Sequence, residues 1–221
     1  MSEGDDGAAE IGRPLHAESL CILDAVICVH FVGAGLHRLL IDVLRRAGLT
    51  LLVPQEVCDE VAGKSRKYPQ ITNPWNRLTA STVVRVLPPL LAVDAPARVI
   101  EVLEDIRGFQ AEQALRKRKD LGEAVVVAHG VHFQEQGHEV YVAIDDQGGK
   151  AIATQHNLTV LTIEDVIELA IAFGHFPNEG DLKTAYRKLR GYGDGLPSYD
   201  CTDLHGSYTK WRAASQAADA P

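Results

Sequence analysis

Two adjacent carboxylates, Asp145 and Asp146, follow an apolar run (residues 140–144) and precede a segment of small residues (148–155). The run predicts a buried strand, the small residues a helix, and residues 158–161 a second strand, which together form a β-α-β unit with parallel strands. Sites in open α/β sheets lie beyond the carboxyl ends of the strands, where these aspartates stand. Two like charges there resist desolvation unless a cation neutralises them. An equally open interpretation is that they cap the next helix, since Asp is favoured at the N-cap and in the first turn.

Asp24 and Glu123 occupy comparable positions along the chain. Asp24 interrupts an apolar run, residues 19–27 (SLCILDAVI), that predicts a strand. A carboxylate buried there without a partner would be costly, so we expect Asp24 where the strand ends and the chain turns. Glu123 opens a predicted helix, residues 119–130. Compensation of the helix dipole is the alternative to a role in a site.

Two glutamates, Glu56 and Glu60, share one face of a further predicted helix, residues 55–62. Most glutamates on helix surfaces are solvated. Beside the acids above, however, Glu60 extends a set of carboxylates at strand ends and helix starts. Carboxylates that converge from several strands suit a hard cation such as Mg²⁺ or Mn²⁺, which prefers oxygen ligands.

The elements that must position these acids alternate between strand and helix from residue 20 to residue 173. This alternation predicts an α/β domain of three layers, α/β/α, with a mostly parallel central sheet. Besides the elements above, hydrophobic patterning predicts strands at 49–53 and 83–87 and helices at 36–47, 95–115 (interrupted near Gly108), 164–173 and 181–190. Residues 63–79, polar and broken by two prolines, are predicted to form a loop or lid. The α/β domain spans residues 19–177, between a disordered acidic tail (1–18) and a helical or irregular extension (178–221) whose end, 213–221, is expected to fray.

Composition excludes several classes of protein. The 221 residues are 46% hydrophobic, which suffices for one full core, and their net charge of −8 argues against a uniformly positive surface without excluding nucleic acid. No apolar run reaches the length of a membrane span and no secretory signal is visible, so no membrane contact is expected. The 4 cysteines lack CxxC or Cys/His ligand spacing, which favours buried free thiols in a cytoplasmic protein.

Basic residues cluster at 64–67 (KSRK), 116–119 (RKRK) and 187–190 (RKLR). Each cluster is more often a solvated helix face than a phosphate-binding patch. The candidates for contacting nucleic acid are Lys64, Arg66, Lys67, Arg116, Lys117 and Arg118. Three histidines, His129, His132 and His138, lack the spacing of a zinc helix and are interpreted as surface or packing residues.

Four segments together resemble the PIN-domain ribonucleases, whose bacterial members include the VapC toxins. They are ILDAVI (22–27), VPQEVCDEV (53–61), DLGEAVVVAHG (120–130) and VAIDDQGGKAIATQHNLTVLT (142–162). The resemblance covers roughly residues 19–177 and lies in the order and spacing of the segments rather than in any single motif. It maps the acidic residues of the family onto Asp24, Glu60, Glu123 and the pair Asp145 and Asp146.

The resemblance implies a metal-dependent ribonuclease that hydrolyses RNA phosphodiester bonds. It implies catalytic roles for Asp24, Glu60, Glu123 and Asp145. It also implies Mg²⁺ or Mn²⁺ ions held by Asp24, Glu123, Asp145 and Asp146, some of them through water, that activate a water for in-line attack. The partners implied are RNA, an antitoxin protein and a second copy of the chain as a homodimer.

Departures from the family pattern keep a second function open. Asp24 is followed by Ala25 and Val26, where the family often has a hydroxyl or amide side chain, and Gly149 and Lys150 replace the usual Ala-Arg. The alternative is a catalytically degenerate module that binds RNA or a protein without cutting. A phosphoryl-accepting receiver domain is disfavoured, because its isolated acceptor Asp after a middle strand and its Lys after a late strand are missing.

Overall fold

Five parallel strands form the central sheet of the chain, whose computed structural model describes residues 17–93, 95–117, 119–193 and 195–218. The strands are β1 (Ser19–Leu23), β2 (Thr50–Pro54), β3 (Val84–Leu87), β4 (Glu139–Ala143) and β5 (Thr159–Leu161), in the spatial order β3-β2-β1-β4-β5. Chain order proceeds outward from β1 in one direction to β3, then crosses to β4 on the other side and continues to β5. The crevice of such a sheet opens where the order reverses, at the carboxyl ends of β1 and β4.

Helices connect the strands, and the predicted three-layer α/β fold with a parallel sheet is confirmed. The helices are α1 (Ala25–Gly33), α2 (His37–Arg46), α3 (Gln55–Gly63), α4 (Thr72–Thr79), α5 (Ala97–Arg107), α6 (Ala111–Arg116), α7 (Leu121–Glu135), α8 (Gln147–Gln155), α9 (Ile163–Ala172), α10 (Glu179–Arg190) and α11 (Leu204–Ala218). The strands predicted at 49–53, 83–87, 140–144 and 158–161 are confirmed to within a residue or two. The interruption predicted near Gly108 separates α5 from α6, and Gly108 adopts the left-handed backbone conformation (φ +65°) that ends a helix.

The strand predicted over residues 19–27 is wrong in its second half. β1 ends at Leu23, and the following residues form α1, whose first turn is capped by the Asp24 carboxylate accepting a hydrogen bond from the Val26 N–H. All but one residue of α1 is buried. A helix that is apolar all round shows no 3.6-residue period, so its sequence is indistinguishable from that of a buried strand.

The loop or lid predicted over residues 63–79 is also wrong. Short 3₁₀ turns at Lys64–Arg66 and Pro69–Ile71 lead into α4. Pro74 lies in the first turn of α4, where proline is tolerated because the backbone N–H there has no intrahelical partner. The segment is anchored by Ile71, Trp75 and Leu78, whose side chains are buried.

The C-terminal extension shares the core of the preceding domain. Leu182, Tyr186, Leu189 and Leu204 are buried in the same hydrophobic cluster as the sheet. Fraying was predicted for residues 213–221, yet α11 continues to Ala218. The helix packs on α9, where Ser207 donates a hydrogen bond to Glu168 at 2.7 Å. Residues 219–221 lie outside the described part of the chain.

Some further predictions concern the ends and the cysteines. The predicted acidic tail lies outside the described residues except for residues 17 and 18, of which Glu18 accepts a backbone hydrogen bond from Glu139. Three cysteines are buried free thiols as predicted, whereas Cys201 is free but exposed. Within the described residues, none of the helices combines the length and apolarity that crossing a bilayer requires.

Candidate functional site

The carboxyl ends of β1 and β4 bring Asp24 next to Asp145 and Asp146. Leu23 pairs with Ala143 in the parallel ladder, and the Asp24 N–H continues the pairing by donating to the Ala143 carbonyl at 3.0 Å. On the far side of β4, the Ile144 N–H donates to the Leu161 carbonyl at 3.0 Å. The strands therefore place these aspartates on the edge of the sheet where its order reverses.

Asp24 is a buried carboxylate with only 2% of its surface exposed. Its side chain accepts the hydrogen bond from Val26 that begins α1, a cap worth about 1 kcal/mol. Burial raises the pKa of Asp24 to about 6, although backbone hydrogen bonds from Val26 and Ala25 oppose the rise; the nearby charges of Glu60 and Asp146 add to it. The carboxylate is thus held in place by the backbone but lacks a neutralising charge among the groups that act on its pKa.

Glu60 and Asp24 meet at Gly122, the second residue of α7. A methyl group on Gly122 would lie 2.9 Å from Glu60 Oε2 and 3.2 Å from Asp24 Oδ1. The two carboxylates therefore reach the same spot from α3 and from the end of β1. The missing side chain of Gly122 leaves open the space into which both oxygens point.

Glu123 closes this group from α7. Burial raises its pKa to about 7, and the charges of Asp146, Asp24, Asp120 and Glu60 raise it further, in that order. A methyl group on Gly149 would lie 3.0 Å from Glu123 Cγ, so Gly149 of α8 packs directly against the Glu123 side chain. We call Asp24, Glu60, Glu123 and Asp146 the acidic cluster.

Asp146 and Asp145 diverge although they are adjacent in sequence. Asp146 caps α8, accepting hydrogen bonds from the Gly148 and Gly149 N–H groups at 2.7 and 3.4 Å, as the alternative interpretation of the sequence expected. Its charge nevertheless acts on both Asp24 and Glu123. Capping and membership of the cluster are therefore compatible roles for one carboxylate.

Asp145 faces a different set of groups. Its Oδ1 lies 3.3 Å from Lys150 Nζ, and its side chain is 14% exposed. Its charge acts on His30, Glu164 and Tyr186, on the side of the molecule where α1, α9 and α10 meet. The lysine that replaces the arginine of the family pattern thus pairs with one of the two aspartates predicted to hold metal.

The chemistry of the acidic cluster suits a divalent cation, with one restriction. Its donors are all carboxylate oxygens. A positive charge among them would reduce their mutual repulsion and offset the cost of burying them. Among the described residues, no group of three or more His, Cys, Asp and Glu side chains is arranged to hold an ion directly. Mg²⁺ is commonly held by one or two carboxylates with several waters, so the cluster fits an ion bound partly through water.

The basic residues predicted to contact nucleic acid fall in two places. Lys64, Arg66 and Lys67 lie in and just after the 3₁₀ turn that follows α3, and Lys64 Nζ is 3.8 Å from Glu60 Oε1. Arg116 pairs with Glu112 at 2.5 Å on α6. The ammonium group of Lys117 lies 3.3 Å from the centre of the Phe109 ring. Only the first group is therefore joined to the acidic cluster by a contact, and Arg118 lies outside the described residues.

Of the three histidines predicted as surface or packing residues, His129 is buried, and His132 and His138 are partly exposed with their rings beside Phe133. The ring of His129 is 2% exposed and stacks on Phe133 at 6.3 Å between centroids. Neither of its nitrogens has a hydrogen-bond partner among the residues that the structure describes. Burial, followed by the charge of His132, lowers the pKa of His129 to about 4, so the ring is neutral in the core.

A second charged region lies between α2 and α4, and sequence analysis did not identify it. It is an open groove of about 990 Å³ whose wall carries four arginines, Arg38, Arg45, Arg46 and Arg77. Arg45 and Arg46 end α2 shortly before β2 begins, and Val83 of the groove leads directly into β3. This arginine groove therefore reaches the amino ends of the strands, the edge of the sheet opposite the acidic cluster.

Comparison of the chain with protein-family models, with curated proteins and with solved structures finds no match in any of the three. The function must therefore be inferred from the geometry and the chemistry of the site.

Proposed function

We propose that this protein is a PIN-type endoribonuclease that hydrolyses RNA phosphodiester bonds with the help of Mg²⁺ or Mn²⁺. The observation that carries the proposal is the convergence of Asp24 and Glu60 on the open space at Gly122. Glu123 and Asp146 complete the group from the starts of α7 and α8. Acids distant in sequence that meet at the switch point of a parallel sheet, with Asp24 buried and Glu123 partly buried, are better explained by a cation than by stability, since their repulsion destabilises the fold.

The residues of the acidic cluster would hold the ion in different ways. Asp24 is fixed by its own helix cap and Asp146 by two backbone hydrogen bonds, so these carboxylates are oriented before any ion arrives. We assign the ion to Asp24, Glu123 and Asp146, with at least one of these carboxylates and Glu60 acting through water. Asp145, predicted as a ligand, is assigned instead to positioning through its pair with Lys150.

A bound ion would lower the pKa of a water so that hydroxide is available to attack the phosphorus, and would supply positive charge for the phosphoryl oxygens. The residues of the chain contribute orientation. Burial and the neighbouring carboxylates raise the pKa of Glu123 to about 7, and a bound cation would favour its charged form. Lys64, held beside Glu60, brings positive charge to the rim where a phosphate would enter.

The decisive experiment compares RNA cleavage by the wild-type chain with that of Asp24→Asn, with and without Mg²⁺ or Mn²⁺. Asparagine keeps the helix cap, so the fold is preserved while a charged ligand is lost. Asp59→Asn is the matched control, since Asp59 lies on α3 beside Glu60 and is exposed. We expect metal-dependent cleavage by the wild type and Asp59→Asn and none by Asp24→Asn. Cleavage at the wild-type rate by Asp24→Asn would refute the assignment.

A second candidate function is a degenerate module that binds RNA or a protein without cutting it. Two observations favour it: the pairing of Lys150 with Asp145, and the lack among the described residues of three side chains arranged to hold an ion directly. Calorimetry with Mn²⁺ separates the two candidates. RNA binding with neither Mn²⁺ binding nor turnover would support the degenerate module.

The resemblance further suggests an antitoxin protein that neutralises the enzyme and a homodimer as its working form. We propose both as partners to be sought. Co-purification of the full-length chain from its own cells and its mass in solution test them separately.

A further inference from the structure

A small cavity adjoins the acidic cluster, and sequence analysis did not foresee it. It has a volume of about 220 Å³ and shares Glu60 with the cluster. Its wall combines two tyrosines, two lysines and a histidine: Tyr68, Tyr192, Lys64, Lys67 and His30. A cavity of this size holds one aromatic ring system with its polar substituents and is smaller than the pockets of about 300–1,000 Å³ that enclose drug-sized ligands.

The C-terminal extension supplies one side of this cavity. Tyr192 follows α10, and its ring lies on α1 at Gly33, where a methyl group would come within 2.6 Å of Tyr192 Cγ. Gly193 lies against the His30 ring in the same way. Both contacts need glycine because any side chain would displace an aromatic ring. The extension, which lies outside the segments that resemble PIN-domain proteins, is therefore built into the surroundings of the candidate active site.

Two aromatic rings border the cavity and remain partly exposed. Tyr68 and Tyr192 meet edge to face, with centroids 5.5 Å apart and planes inclined by 62°. The ammonium group of Lys67 lies 5.1 Å from the centre of the Tyr68 ring. In an edge-to-face pair, at least one ring keeps a face that a further planar group can cover. Aromatic faces next to lysines are the means by which proteins bind single-stranded nucleic acid, the rings taking bases and the lysines phosphates.

His30 gives the cavity a hydrogen-bonding group of defined character. Its Nδ1 lies 2.8 Å from the Leu189 carbonyl, which can only accept, so Nδ1 carries the proton. Burial lowers the pKa of His30, and the ring is neutral near pH 7. Nε2, the nitrogen that lies against Gly193, therefore carries the lone pair of the ring, which is 2% exposed. The N–H groups on a base edge are suitable donors, and they are engaged elsewhere when the base is paired.

We propose that this cavity receives one unpaired nucleobase of the RNA, next to the phosphate held at the acidic cluster. The substrate is accordingly single-stranded at the site of cleavage. This inference rests on the proposed ribonuclease function for its choice of ligand. Stacking on Tyr192 or Tyr68 supplies affinity, His30 Nε2 accepts a hydrogen bond from the base, and Lys64 and Lys67 lie where the flanking phosphates pass.

The test measures binding of a short single-stranded RNA of mixed sequence, and of its perfect duplex, without divalent metal so that nothing is cleaved. We expect the wild type to bind the single strand at least about 10-fold more tightly than the duplex. Tyr192→Ala should lose about 10-fold in affinity for the single strand alone, because one stacking contact is worth roughly 5- to 150-fold. Tyr192→Phe should keep the wild-type affinity, because phenylalanine retains the aromatic face.

Phe109→Ala is the matched control, because Phe109 is an exposed aromatic ring that also lies under a lysine. An equal loss from Phe109→Ala, or unchanged single-strand binding by a folded Tyr192→Ala, would overturn the proposal. So would equal binding of single strand and duplex by the wild type.

Photochemical cross-linking of the wild-type chain to RNA containing 4-thiouridine covers the case in which Tyr192→Ala does not fold. Cross-links in the peptides that contain Tyr68 or Tyr192 support the proposal, and cross-links confined to the arginine groove contradict it. A cleavage assay on the same RNA keeps the two ideas apart. Binding that depends on the tyrosines, without cleavage in Mg²⁺ or Mn²⁺, would contradict the ribonuclease function and support the base-binding cavity. Cleavage together with binding that does not depend on the tyrosines would support the ribonuclease function and contradict the base-binding cavity.

Discussion

The acidic cluster contains four carboxylates, and the arginine groove contains four arginines and Asp42, but the two regions differ in how far their charges are removed from water. Asp24 is almost fully buried, and the pKa values of Asp24 and Glu123 rise to about 6 and about 7. The four arginines of the groove are exposed, so water solvates each charge. Like charges in water cost little, whereas like charges removed from water cost stability unless a ligand compensates them. Desolvation, rather than the number of charges, therefore distinguishes a candidate active site from a charged surface.

The largest effect expected from this comparison concerns catalysis. Glu123→Gln should lower the rate of metal-dependent RNA cleavage by on the order of 100-fold or more, because the loss of even an outer-shell group at a metal site costs 10–100-fold. Arg45→Gln in the arginine groove should change the rate by less than about twofold, because Arg45 lies near the amino ends of the strands. Initial rates on one RNA at a saturating Mn²⁺ concentration provide the measurement. An equal loss of cleavage rate in Glu123→Gln and Arg45→Gln would contradict the distinction between the acidic cluster and the arginine groove.

Filling the space between the carboxylates should weaken metal binding without unfolding the chain. Gly122→Ala places a methyl group 2.9 Å from Glu60 Oε2 and 3.2 Å from Asp24 Oδ1. We expect Mn²⁺ affinity, measured by calorimetry, to fall by roughly 10- to 100-fold, which is the usual cost of a mutation that disturbs the groups orienting the metal-binding residues. Gly206→Ala on α11 is the control, since its methyl group would meet no atom within 4 Å. That variant should bind Mn²⁺ normally, and weaker binding by it would count against the assigned space.

The free energy of unfolding should reveal the cost of desolvating Asp24. Because the pKa of Asp24 is raised in the folded state, that state binds more protons than the unfolded chain between about pH 4 and pH 6. Stability contributed by the group therefore falls as pH rises through this range. Without metal, Asp24→Asn should be more stable than the wild type by about 2 kcal/mol at pH 8. Urea unfolding at pH 8 and at pH 4.5 measures this difference.

Two outcomes test the interpretation of that result. The difference in the free energy of unfolding between Asp24→Asn and the wild type should be smaller at about pH 4.5, because most of the Asp24 carboxyl groups in the folded wild type are protonated there. Saturating Mn²⁺ at pH 8 should stabilise the wild type and not the variant, since the ion binds only the folded carboxylates. A variant less stable than the wild type at pH 8 in the absence of metal would contradict the desolvation argument.

Burial of His129, a base, should also make the free energy of unfolding depend on pH, with a smaller effect than that of Asp24. Its pKa is lowered to about 4, so the unfolded chain binds more protons than the folded protein between about pH 6.5 and pH 4. Stability from this group is therefore lost as pH falls through that window. His129→Leu should remove part of the acid sensitivity, and also the cost of two unpaired nitrogens, for a gain of about 1 kcal/mol at pH 5. Thermal unfolding at pH 5 and pH 7.5 measures the gain, and an unchanged pH profile would show that His129 does not titrate in this window.

The order of strands and helices was predictable because each strand is a short apolar run and each intervening helix has its own period or composition. Two helices were not predicted: α1, because it is buried on nearly all sides, and α4, because two prolines, one of them in its first turn, suggested a loop. The positions of Asp24 and Glu123 followed from a strand end and a helix start, whereas Glu60 lies in the second half of α3. Their metal binding and catalytic roles stay predictions.

The sequence by itself determined which acids stand at strand ends, because a parallel sheet puts those ends along one edge. Only the tertiary structure decided which of them face one another. Asp145 and Asp146 point to different partners because one caps α8 and the other pairs with Lys150. Likewise, Tyr192 reaches Tyr68 across more than a hundred residues because Gly33 leaves room for its ring. Such contacts depend on side-chain direction and on the packing of distant segments, which no local pattern of residues encodes.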